Sequence, residues 1–317
     1  MLRLCLLLYI SVSYVLALYF APEDVSDYKT KRDDPRVIKA RMRQIVKVTI
    51  LNVVVVPLVI SLCSTSGVTF KGAFLDLGIL PGHYIARGGQ WDLASYVRDI
   101  WRCLVLVSLL YVGPLTDAVL CAALTGVPAK QICSDLWGQF NDVWGVRNYL
   151  FGPISEELVY TSMLLTTYIS LQGPEADPLT LQRLLWQPSV YFGIAHLHHG
   201  YEMFASGTLT LWQIGVTVTF QMLYTTVFGA LTNYVFLRTG GNLWACIVLH
   251  SFCNFMGFPQ GSETTFQFTI LTPARTKRGA ALVSLWNTLY YILLLVGLLL
   301  FYFAAGGLVT NEHSLQV

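Results

Sequence analysis

Long apolar runs broken by short polar connections set the layout of this chain. Windows dominated by apolar residues fall at about 2–20, 46–64, 100–124, 147–170, 183–199, 209–236, 242–258 and 281–305. A helix needs about 20 apolar residues to cross the hydrocarbon layer, with about 17 near the lower limit. Backbone polar groups cannot stay unbonded in lipid, so each window predicts a helix. The pattern predicts an all-α, polytopic transmembrane helical bundle of about eight spans. Gly and Pro punctuate the boundaries, at Gly126 and Pro128, at Gly173, Pro174 and Pro178, at Gly240 and Gly241, and at Pro259 and Gly261. No internal repeat and no polar stretch long enough to fold alone is present, so residues 1–317 are expected to form one integral-membrane domain.

Composition agrees with this reading. Of the 317 residues 55% are hydrophobic and 12% charged, about half the charged share of a soluble domain, and the mean hydropathy is +0.57. The net charge of +2 implies little about partners. The basic residues flank apolar windows without interleaved aromatics, which argues against nucleic-acid binding. Seven cysteines (Cys5, Cys63, Cys103, Cys121, Cys133, Cys246 and Cys253) are dispersed without a C-x-x-C pair. They read as packing residues, with neither a disulfide framework nor a four-cysteine zinc site. The run from Leu2 to Phe20 exceeds the usual core of a secretory signal and lacks a small-x-small cleavage site, so a retained helix is expected.

Basic residues set the expected orientation. The first connection carries Lys29, Lys31, Arg32, Arg36, Lys39, Arg41, Arg43 and Lys47, which by the positive-inside rule makes it cytosolic. Alternation puts Lys130, Arg147, Arg275, Lys277 and Arg278 on the same side, 13 basic residues against 7, with both termini lumenal or extracellular. Glu156, His196, His250 and Asn254, drawn from three windows, then fall at one depth near the cytosolic face.

These residues carry the candidate chemistry. Glu156 and Glu157 stand side by side in the fourth window, where an ionised carboxylate costs about 2.5–3.5 kcal/mol on insertion scales and so marks a task. Pro153 and Ser155 read as the opening of that helix, with the serine as a cap. Adjacent helical residues diverge by about 100°, so one glutamate can face a cavity while the other turns to a neighbouring helix. His250 and Asn254 are four apart, on one helix face, where their donors can meet a single developing oxyanion. His196 stands opposite Glu156 as a partner for water. Together they outline metal-free, glutamate-activated amide hydrolysis with no cofactor. A zinc set of His196, His250 and a glutamate is the rival, without H-E-x-x-H spacing, and Cys253 is a further one, without a cation to activate it. His198 and His199 are expected in an interfacial loop, and Asp117 as a structural partner for a polar group. A proton-coupled transporter would use similar residues but lacks glycine-broken helices in corresponding halves. A non-catalytic scaffold would leave them dispensable.

The stretches Phe151-Gly-Pro-Ile-Ser-Glu-Glu-Leu-Val-Tyr-Thr-Ser-Met163, Phe192-Gly-Ile-Ala-His-Leu-His-His199 and Gly240-Gly-Asn-Leu-Trp-Ala-Cys-Ile-Val-Leu-His-Ser-Phe-Cys-Asn254, in this order, resemble the CaaX prenyl endopeptidases of the Ras-converting type, in a fungal-like form. The resemblance implies a protease of the endoplasmic-reticulum membrane whose site opens to the cytosol. It would remove the last three residues of isoprenylated Cys-a-a-X proteins, such as Ras-like GTPases and a lipidated pheromone precursor. It also implies roles: Glu156 and His196 activate water, His250 and Asn254 form the oxyanion hole, and Glu157 supports them, within a catalytic core of about 147–258. The family's first motif usually reads E-E-x-x-x-R, but the arginine position here is Thr161, which leaves the partner of Glu157 open.

Overall fold

The computed structural model describes residues 2–20, 33–85, 89–172, 178–271 and 277–315. In chain order the helices are α1 (Leu2–Ala17), α2 (Pro35–Cys63), α3 (Phe70–Leu75), α4 (Leu93–Leu110), α5 (Val112–Thr125), α6 (Ala129–Asn141), α7 (Val143–Gly145), α8 (Gly152–Glu156), α9 (Leu164–Ser170), α10 (Leu181–Ala195), α11 (His198–Ser206), α12 (Leu211–Arg238), α13 (Leu243–Met256), α14 (Glu263–Phe266) and α15 (Lys277–Val309). Wider π-helical turns at Val146–Phe151 and Glu157–Met163 join α7, α8 and α9 into one continuous rod. Two-residue antiparallel strands, β1 (His83–Tyr84) and β2 (Gln90–Trp91), pair His83 with Trp91 and Tyr84 with Gln90. The all-α expectation holds apart from this hairpin.

Each apolar window coincides with helix, but span number is a separate matter. Three helices, α2, α12 and α15, are long and apolar enough to cross a membrane singly, and a fourth span results if α4 and α5 are counted together. Among the described residues, length and composition thus support three or four spans and do not establish eight. Two reasons apply: α1, α10 and α13 have 16, 15 and 14 residues, so at about 1.5 Å per residue none alone reaches 30 Å, and the rod of the fourth window is divided by its π-turns into shorter helices. The third window is bent by 78° between α4 and α5. Pro114 lacks the N–H that would continue α4 through Leu110, so the chain restarts at Val112. Gly297 of α15 meets this corner, where a Cβ would stand 2.8 Å from the Leu109 carbonyl oxygen.

The rod around Glu157 is the hub. Leu158, Val159, Tyr160, Thr161, Ser162, Met163, Leu164 and Leu165 are all buried, as befits a helix apolar on every side and enclosed by others. It packs against α1, α10, α12 and α13. Helices α10 and α12 approach closely through small residues, the usual means where lipid removes the hydrophobic drive. A Cβ on Gly193 would collide with Thr226 Oγ1 and lie 2.8 Å from the Met222 carbonyl oxygen. Asn233 of α12 donates to the Leu185 carbonyl at 3.1 Å and to Ser189 Oγ at 2.9 Å.

Other polar groups hold the ends. Asp117 accepts from Ser262 Oγ and Trp286 Nε1, both at 2.7 Å, and from the Glu263 amide, the structural role its position suggests. His198 and His199 begin α11 and do not lie in a loop, which corrects the expectation for them. The turn is stabilised by His198 Nδ1 donating to the Ala195 carbonyl at 2.6 Å. Helix α11 is tied to α2 by Arg41 and Glu202, 2.7 Å apart and largely buried. Burial opposes ionisation of Glu202, yet His199 and Arg41 together hold its carboxyl down to about 2.

Two outcomes follow from these contacts. Gly193→Val should lower stability by about 1–3 kcal/mol through overpacking, read as a fall in the melting temperature of the detergent-solubilised protein. Because the Glu202 carboxyl is lowered on folding, its contribution is present above about pH 4.5 and fades towards pH 2. Melting curves of the native chain and Glu202→Gln should therefore differ at neutral pH and converge across that interval.

Candidate active site

The site is built on irregularities of the rod. Pro153 cannot donate an amide, and the turn before it is widened: the Gly152 N–H bonds the Arg147 carbonyl, five residues back. The Asn148 carbonyl would then look to Pro153 for its donor and finds none. Asn254 of α13 supplies it, its Nδ2 donating at 2.9 Å. This corrects the expected helix opening at Pro153. The helical path begins at Val143 with Asp142 as its cap, so the two glutamates lie mid-rod, away from any free helix N-terminus. Ser155 caps nothing. Its hydroxyl donates back to the Phe151 carbonyl at 2.9 Å and accepts from Tyr14 OH at 2.9 Å. A π-turn inside a helix is often found at functional sites, and here one lies on each side of Gly152–Glu156.

The adjacent glutamates take opposite environments. Glu157 has a side chain 1% exposed and is fully partnered. His250 Nδ1 donates to its Oε1 at 2.6 Å, and Thr161 Oγ1 donates to its Oε2 at 2.7 Å. Since the Thr161 proton is so used, its oxygen accepts from Thr232 at 2.9 Å. Thr161, at the position where an arginine is usual, is therefore itself the partner of Glu157. Glu156 is 26% exposed and borders a cavity of about 190 Å³. His250 Nε2 stands 3.9 Å from Glu156 Oε2, too far for a direct hydrogen bond.

His196 borders the same cavity. As the C-cap of α10 its own amide bonds the Gly193 carbonyl, so the Phe192 carbonyl is left for the ring, and Nδ1 donates to it at 2.9 Å. In the neutral ring this leaves the lone pair on Nε2. Asn254 also borders the cavity, whereas His250 sits behind Glu156 against Phe228, with ring centroids 4.7 Å apart. Cys253 does not line the cavity and neighbours Tyr111. Among the described residues, the group whose ligand atoms lie within 4.8 Å of one another is His198, His199 and Glu202, not the zinc set of His196, His250 and a glutamate.

The remaining wall combines aromatic and basic side chains. Tyr14 meets Tyr160 edge-on at 5.4 Å, Tyr160 stacks on Phe192 at 4.9 Å, and Phe192 meets His196 at 5.0 Å. Arg41 and Arg147 also border the cavity. Sequence reading used these two only as charges for orientation and passed over Tyr14, Tyr160 and Phe192. The signal for Tyr14 was a polar patch, Ser11, Ser13 and Tyr14, within an otherwise apolar run.

Comparison with known proteins converges on one family. The family model described as type II CAAX prenyl endopeptidase Rce1-like matches residues 139–256, a stretch that contains Glu156, Glu157, His196, His250 and Asn254. The chain is 46% identical over 295 residues to CAAX prenyl protease 2 of Saccharomyces cerevisiae, covering 92% of this chain and 91% of that protein. It is 30% identical over 255 residues to the Homo sapiens CAAX prenyl protease 2, covering 79% and 69%. With the probable CAAX prenyl protease 2 of Schizosaccharomyces pombe the identity is 25% over 301 residues, covering 95% and 92%. No solved structure matches. A paired-glutamate rod enclosed by helices, a cavity shared by carboxylate and imidazole, the family match and 46% identity over 92% of the chain to a yeast relative lead to one conclusion: this chain is a protease that belongs to the Rce1-like type II CAAX prenyl endopeptidases.

Proposed function

We propose that this chain is an endopeptidase of the endoplasmic-reticulum membrane that removes the -aaX tripeptide from isoprenylated CaaX proteins, by attack of a water activated by Glu156. The observation that carries the reading is that Glu156 and His196 border one small cavity, with the second carboxylate fully occupied behind them. A water between Glu156 and His196 Nε2 gives its proton to this pair as its oxygen attacks the scissile carbonyl. The amide hydrogen of Asn254 not used by Asn148, and Nε2–H of a His250 imidazolium whose counter-charge is Glu157, stabilise the oxyanion. Collapse of the tetrahedral species breaks the C–N bond. The leaving nitrogen takes the proton held at Glu156 and departs as the amine of the tripeptide, leaving prenylcysteine as the new terminus.

The remaining expectations fit this reading. The cavity is bordered by Arg41 and Arg147, and Arg147 bonds Asp33 at 2.9 Å, so the first and third connections, both basic, meet beside it. On the positive-inside rule that side faces the cytosol. The windows shorter than a membrane would cross as parts of a common bundle, giving the eight-span arrangement with one catalytic domain. Substrates would include Ras-like GTPases and a lipidated pheromone precursor. Each buried methylene of the isoprenoid contributes about 0.8 kcal/mol, so an unprenylated tail should bind poorly whatever its sequence.

Glu156→Gln, His196→Ala and His250→Ala should each abolish cleavage of a prenylated CaaX peptide in membranes, and Asn254→Ala should lower kcat by about 100-fold or more with little change in KM. Full turnover in Glu156→Gln would remove the mechanism. Strong chelators should leave activity intact. A glycosylation tag at the C-terminus should be modified in the lumen, and an unmodified tag would reverse the orientation.

A further inference from the structure

The cavity holds two arginines in different states. Arg41 is sequestered, 13% exposed against a Glu202 that is 8% exposed. Arg147 bonds an Asp33 that is 66% exposed, at 2.9 Å, and its Nε donates to Asn148 Oδ1 at 2.8 Å. An ion pair with so exposed a partner contributes little, so a second carboxylate can take the place of Asp33. The proposed reaction supplies one: a tail cut three residues from its end carries a free carboxylate at that end. Three extended residues span about 10 Å. Arg147 precedes Glu156 by nine positions on one rod, a rise of about 13 Å if wholly α-helical and less through a π-turn. The two lengths are of the same order, and both residues border the same space.

Resting on the activity proposed above, we propose that Arg147 binds the C-terminal carboxylate of the substrate tail and thereby sets the cut three residues from the end. The arrangement also separates charges, since the tail carboxylate is held by Arg147 and not beside Glu156. A guanidinium suits the task because its paired donors match a carboxylate. Asp33 holds the arginine in place until the tail arrives.

The test pairs an enzyme change with a substrate change. Prenylated peptides with a free C-terminal acid and with a C-terminal amide are compared by kcat/KM in native chain, Arg147→Gln and Asp33→Asn. The native chain should prefer the acid by about 10- to 100-fold, and Arg147→Gln should bring the acid down to the level of the amide. Asp33→Asn, at an exposed position, should raise the acid value about two- to fivefold and provides an independent reading should Arg147→Gln fail to fold. Equal losses on acid and amide in Arg147→Gln, or an unchanged acid value in Asp33→Asn, would overturn the assignment while leaving the protease reading intact. A native chain that cleaves neither peptide would sink the protease reading itself.

Discussion

A carboxylate enclosed in apolar helices must find donors for its oxygens, and Glu157 is the group on which this structure turns. Left unpaired it would cost several kcal/mol; paired, it ties separate segments into one arrangement. His250 brings in α13, Thr161 fixes the rotamer from its own rod, and Thr232 adds α12 through the shared hydroxyl. With Nδ1 of His250 so bound, the other ring nitrogen must point towards Glu156. The orientation of the candidate oxyanion donor is thus a by-product of satisfying a buried acid.

A second constraint acts through the backbone. Pro153 removes one amide from the rod, and the cost is met by widening the turn and recruiting Asn254 to the Asn148 carbonyl. The same proline that disturbs the helix therefore anchors the end of α13 beside the cavity. His196 shows the equivalent economy at a helix end, where a carbonyl left over by the terminal turn fixes the imidazole.

Much of this was legible in sequence, and the parts that were not have specific reasons. The apolar windows located the long helices because lipid and protein interiors impose the same pattern. The chemistry-bearing residues stood out because charge is rare there. Span number is not set by that pattern, since apolar length alone does not distinguish a crossing helix from one enclosed by its neighbours. Ser155 was misread as a cap because Pro-x-Ser suits a helix start, and only the continuous path from Val143 reveals a π-turn instead. The partner of Asn254 was invisible because it is a main-chain oxygen more than a hundred residues away. The helix α6 carries no buried residue and too few apolar ones to register as a window.

The brevity of α1, α10 and α13 bears on which membrane suits the protein. At about 1.5 Å per residue these helices extend roughly 21–24 Å, several ångströms short of an average hydrocarbon layer. Such hydrophobic mismatch costs fractions of a kcal/mol per ångström and is relieved where the lipid is thin. A bilayer of about 27 Å, as in the early secretory pathway, strains this bundle less than a sterol-rich one of about 32–33 Å. In the proposed bundle, where these short helices cross as parts of a common structure, lipid thickness would favour a thinner membrane over a thicker one.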